Sequence, residues 1–118
     1  MGTKRLMLEL SDVVEAPAAR VIDVAARRFA AIPGAEQHGV EIDRDRGYVA
    51  YQGGWWFRGE YEVAEEAGRT TVVHRIYNVA GPASRWGVSL ANRFFIGFEQ
   101  RAAAEFADLL REASENAG

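Results

Sequence analysis

The chain has 118 residues, 48% hydrophobic and 26% charged, and 14 basic side chains stand against 17 acidic ones for a net charge of −3. That describes one ordinary domain, placed at residues 4–114 with a frayed tail at 115–118; absence of cysteine excludes disulfides and thiolate metal sites. The acidic balance argues against nucleic acid as a partner, and with no apolar run near about 18 residues neither a membrane span nor a secretory leader is expected, so the protein is assigned to the cytoplasm.

In Arg5 to Val14, Leu6, Leu8 and Leu10 alternate with Met7, Glu9 and Ser11, the period of a strand with one buried face. Pro17 is suited to the first position of a helix, where a missing N–H costs nothing. Ala18, Val21, Ile22, Ala25, Phe29 and Ile32 then share one arc of the helical wheel, with Arg20, Asp23 and Arg27 opposite. Pro33-Gly34 ends that helix. Val40 and Ile42 open a hairpin that turns through Asp43-Arg44-Asp45-Arg46-Gly47 and returns over Tyr48 to Gln52. Gly53-Gly54 breaks the pattern, a long strand is predicted from Trp55 to Glu65, and Ala67-Gly68 turns it into Thr70 to Val79.

The register of this last hairpin follows from its charges. With Ala67 and Gly68 as the loop, Glu66 faces Arg69, Glu60 faces Arg75 and Arg58 faces Tyr77 on a solvated outer side. Trp55, Phe57, Tyr61, Val63, Val72, His74, Ile76 and Asn78 then gather on the inner side, and a slip of one residue would mix the two sets. A final helix is predicted over residues 88–114, its arc built from Val88, Ala91, Phe95, Phe98, Ala102, Phe106, Leu109, Leu110 and Ala113.

The order β-α-β-β-β-β-α is that of an α+β helix-grip fold, a curved antiparallel sheet of about five strands packed on a long C-terminal helix. In Val13-Val14-Glu15-Ala16-Pro17-Ala18-Ala19-Arg20-Val21, Ile32-Pro33-Gly34 and the terminal helix, the chain resembles the START-like, or SRPBCC, superfamily. That superfamily includes birch-pollen-allergen-like proteins, polyketide cyclases and lipid-transfer domains. The resemblance implies a hydrophobic pocket between sheet and helix. Only about fifty residues separate Gly34 from the terminal helix, enough for four strands where relatives usually carry six, so the sheet is expected to be shortened and the cavity small or collapsed.

Polar groups on a core face must satisfy one another or meet a ligand. His74 and Tyr61 either hydrogen-bond to each other across the strands or contact a bound molecule. Glu99 projects into the apolar arc of the last helix, where it reaches His74 as an acid–base partner, snorkels past the sheet edge or pairs with Arg93. Asn92 borders the same arc, and His38 reads as a surface residue. Arg58, Glu60 and Arg75 read as a solvated charge ladder.

The lining expected for a small hydrophobic or aromatic ligand is Trp55, Phe57, Tyr61, His74, Ile76, Asn78, Phe95, Phe98 and Glu99. A cyclase or aromatase-like enzyme is the alternative, with His74 or Glu99 moving protons and Tyr61 or Asn78 polarising a carbonyl. A third reading places a homodimer seam on Trp86, Leu90, Phe94 and Ile96, which residues 80–87 otherwise cover as a lid. No metal and no cofactor are expected, because the histidines lack ligand spacing and no phosphate-binding glycine loop is present.

Overall fold

The computed structural model describes residues 5–35, 39–53, 57–79 and 98–115. Five strands form one antiparallel sheet in the spatial order β1-β5-β4-β3-β2: β1 (Arg5–Val14), β2 (Val40–Asp43), β3 (Tyr48–Gly53), β4 (Phe57–Glu66) and β5 (Arg69–Asn78). Among the described residues, helices α1 (Ala18–Ala30) and α2 (Phe98–Glu115) join this sheet in an α+β fold with the element order β-α-β-β-β-β-α. The predicted start of the last helix at residue 88 lies outside the described residues, as do His38, Asn92 and Arg93.

Between β4 and β5 the expected register is found pair for pair, with Glu66 opposite Arg69, Glu60 opposite Arg75, Arg58 opposite Tyr77 and Tyr61 opposite His74. Ala67 (φ 53°) and Gly68 (φ 79°) both adopt left-handed backbone, the combination whose twist suits a two-residue hairpin loop. The first strand departs from simple alternation. A bulge between Leu6 and Leu8 sets Leu6 opposite Tyr77 on the outer face, where it is 50% exposed, while Leu8 faces Ile76 and Leu10 faces His74 on the inner face.

Pro17 stands one position earlier in the helix than expected. It is the N-cap of α1, its extended ψ of 151° turning the chain into the helix, and it supplies no side-chain cap. The Ala18 N–H instead donates to Glu65 Oε1 at 2.7 Å, so a carboxylate from β4 caps the helix across the sheet. The adjoining turn is held by the buried Thr70 hydroxyl, which donates to the Ala16 carbonyl at 2.6 Å.

Helix α1 lies over β3 and β4 and touches β2 and β5, whereas α2 packs against α1 and β1. The core joins Val21, Ile22, Val24, Ala25 and Phe29 of α1 to Val49, Tyr51, Tyr61 and Val72 of the sheet and to Phe106, Leu109, Leu110 and Ala113 of α2. Burial of each large aliphatic side chain here contributes about 1.5–3 kcal/mol. Gly59 sets the distance between α1 and the sheet. A Cβ there would stand 3.2 Å from the Phe29 ring and 3.1 Å from Phe57 Cζ, so a side chain would push both rings away.

Candidate functional site

The inner ends of β4 and β5, the last turn of α1 and the first turns of α2 leave a cleft of about 460 Å³ between sheet and helices. Its apolar wall is Phe29, Ala31, Ile32, Phe57, Ile76 and Ala102, and its polar groups come from Tyr61, His74, Arg28, Arg101 and Glu105. Aromatic contacts fix the wall. Phe29 packs on Tyr51 (ring centroids 5.8 Å apart) and on Tyr61 (5.2 Å), and Tyr51 meets Phe57 at 6.3 Å.

Two polar side chains stand in this wall, and they do not hydrogen-bond to each other. The Tyr61 and His74 rings stack nearly parallel, 4.1 Å between centroids and 11° between planes, and Phe106 lies 6.0 Å from the imidazole. His74 Nδ1 is 3.0 Å from the Glu60 carbonyl oxygen. A carbonyl only accepts, so this contact assigns the proton to Nδ1 and leaves Nε2 as a bare acceptor in the neutral ring. Burial lowers the His74 pKa below its ordinary value and the Glu60 carbonyl only partly opposes this, so the ring is neutral at neutral pH. Burial raises the Tyr61 pKa, Arg28 opposes that rise and Glu105 adds to it, so the phenol keeps its proton. Among the described residues, neither Nε2 of His74 nor the Tyr61 hydroxyl has a hydrogen-bond partner.

At the cleft mouth, Arg28 Nη1 donates to Glu112 Oε1 at 3.1 Å, and Arg27 pairs with the same carboxylate. These bonds tie the end of α1 to α2 beside the opening.

Phe57, Tyr61, His74 and Ile76 stand together on the cleft wall. Asn78, opposite Phe57 at the end of β5, is half-buried and not part of that wall. Glu99 was expected within the apolar arc. It does share the side of the helix that Phe106 occupies, nearly two turns on, yet it is exposed in the first turn of α2. No hydrogen bond links it to His74. Trp55, Phe95, Trp86, Leu90, Phe94, Ile96 and the side chain of Phe98 lie outside the described residues, as does the stretch expected to form a lid.

The sequence reading did not assign Arg28, Arg101 and Glu105 to the site. Their only signal was position, since Arg28 adjoins Phe29 in the α1 arc and Arg101 and Glu105 flank Ala102 and Phe106 in α2.

The outer face also corrects an expectation. Glu60 is not solvated; it is 3% exposed. Arg58 covers it, donating from Nε to Glu60 at 2.7 Å, from Nη1 to Gln52 at 3.1 Å, and from Nη2 to Glu41 at 3.0 Å and to the Tyr48 hydroxyl at 2.7 Å. Burial works against the Arg58 charge, but the bonds to Glu60, Glu41 and Tyr48 outweigh it and hold the guanidinium firmly protonated. Arg75 pairs with Glu9 of β1 at 2.8 Å and with Glu62 of β4 at 3.5 Å, and Arg46, bonded to Glu62 at 2.7 Å and lying over the Tyr48 ring, joins that group to the network.

An antiparallel sheet with two helices and a cleft between them defines an α+β protein of a fold already seen in solved structures. One of these is the crystal structure of TTHA0849 from Thermus thermophilus, which aligns with a TM-score of 0.57 over 94% of this chain and 98% of that one, at 14% sequence identity. The likeness is one of fold. The sequence matches no family model and no curated protein. Among the described residues no helix is long and apolar enough to cross a membrane.

Proposed function

We propose that this chain is a shortened START-like, helix-grip protein that binds a small hydrophobic or aromatic molecule between the inner face of the sheet and its two helices. The observation that carries this reading is the cleft of about 460 Å³, walled by Phe29, Ile32, Phe57 and Ile76 and holding Tyr61 and His74 among them. Its size lies within the range of small-molecule sites, and its chemistry fits their pattern of broad apolar walls with a few polar groups. Burial of an apolar ligand supplies the affinity, and the polar pair orients it.

The arrangement favours binding over the acid–base alternative. Of the two groups offered for proton transfer, Glu99 is exposed and among the described residues no hydrogen bond joins it to His74, so the two do not form an acid–base pair in the cleft.

Ala102 gives a direct test, because it lines the cleft from α2 without belonging to the buried core. The fluorescent apolar amine N-phenyl-1-naphthylamine is expected to bind the wild-type chain, and Ala102→Trp, which fills the cleft with an indole, is expected to weaken that binding at least about tenfold. Equal affinity in both proteins, with thermal unfolding unchanged, would reject the cleft as the site.

A further inference from the structure

The inner face contains two hydrogen-bonding groups whose directions are fixed before any ligand arrives. His74 is 7% exposed and Tyr61 is 8% exposed, so whatever meets their free polar atoms meets them largely out of water. The stack prevents the rings from swinging apart, and the Glu60 carbonyl prevents the imidazole from exchanging its tautomer without losing a hydrogen bond. Nε2 therefore offers a lone pair and nothing else, while the hydroxyl of the stacked Tyr61 ring has a proton to give.

We propose, resting on the binding function above, that His74 is the specificity-determining residue of the cleft and selects uncharged aromatic ligands bearing a hydroxyl, whose proton His74 Nε2 accepts while the Tyr61 hydroxyl donates to an oxygen of the same ligand. An ether or bare hydrocarbon of the same shape leaves Nε2 desolvated and unpaired, which costs more than the bond itself contributes. A carboxylate is disfavoured at this depth because it brings a charge against a lone pair.

Acidification removes the preference through protonation of His74. Protonated His74 carries a proton on Nε2, which an ether oxygen accepts as well as a hydroxyl does. The groups around the ring are Leu10 opposite it on β1, Tyr61 stacked on it from β4 and Phe106 of α2, with Arg28 of α1 and Arg101 and Glu105 of α2 on the same cleft. Among the described residues none of these is hydrogen-bonded to Nε2.

Calorimetric titration with 2-naphthol, 2-methoxynaphthalene and 2-naphthoate tests the assignment. Wild-type protein at neutral pH is expected to bind 2-naphthol about tenfold tighter than the methyl ether, and that ratio is expected to shrink as the pH falls through the titration of His74. His74→Phe is expected to abolish the preference. His74→Gln, whose amide can donate to Glu60 and still present an oxygen, is expected to restore part of it and guards against a result caused by misfolding.

Equal binding of 2-naphthol and its ether to the wild type would overturn the donor rule while leaving the binding function standing. Tighter binding of 2-naphthoate that survives His74→Gln would overturn it in favour of recognition by the arginines at the mouth. Binding of none of the three would reject both the rule and the function beneath it.

Discussion

The two faces of the β4–β5 hairpin are built from the same chain by strict alternation, yet they treat polar groups in opposite ways. Outside, Arg58, Glu60, Glu41, Gln52 and Tyr48 satisfy one another, Arg75 pairs with Glu9 and Glu62, and Arg46 joins Glu62 to Tyr48, so that side chains from all five strands meet in one belt. Inside, Tyr61 and His74 stack instead of bonding, and each keeps a polar atom directed at no protein group among the described residues. A closed network holds a sheet together; an open pair inside a cleft is poised for something else. The contrast separates the part of the fold that stabilises from the part proposed to recognise a ligand.

The largest effect is expected from breaking the outer belt. Glu60→Ala removes the most buried carboxylate of the network and leaves Arg58 short of a charge partner, a loss of about 3 kcal/mol measured by urea unfolding. Replacing both residues, with Arg58→Met and Glu60→Leu, is expected to recover most of that loss because no charge is then stranded. Ligand binding by the doubly substituted protein is expected to match wild type, which keeps the two faces independent.

A smaller effect is expected on the inner face. Because burial depresses the His74 pKa from 6.5, the unfolded chain takes up a proton below that pH which the folded chain refuses. Stability is therefore full above about pH 6.5 and falls as the pH drops toward and through the folded-state pKa. Urea midpoints at about pH 7.5 and 5.5 are expected to differ more for wild type than for His74→Phe. A slope retained by the variant would assign the acid sensitivity to other groups.

Much of this division is legible in the sequence, and its gaps have physical causes. Glu66, Arg69, Glu60 and Arg75 fix the hairpin register because a slip of one residue sets Glu60 beside Ile76, and Phe57, Tyr61, His74 and Ile76 then fall on one wall. The β1 bulge is hidden because Leu6, Met7 and Leu8 are all apolar, so hydrophobic pattern alone does not reveal where the extra residue enters.

Burial is the other blind spot. Alternation puts Glu60 on the outer face, but its covering comes from Arg58, two residues earlier on the same strand, which Glu41 and Tyr48 on β2 and β3 hold in place. The helical wheel gives the angle of Glu99 and not how far along α2 its neighbours extend. Arg28, Arg101 and Glu105 become a cleft rim only through the way two helices distant in sequence lie side by side.

The central claim is that the inner face is a small-molecule site, and native mass spectrometry of the intact protein tests it most directly. The account predicts that the chain, purified or incubated with excess 2-naphthol, carries extra mass that is lost on denaturation and is absent from Ala102→Trp. A bare chain under both conditions, or an adduct that Ala102→Trp retains in full, would contradict it.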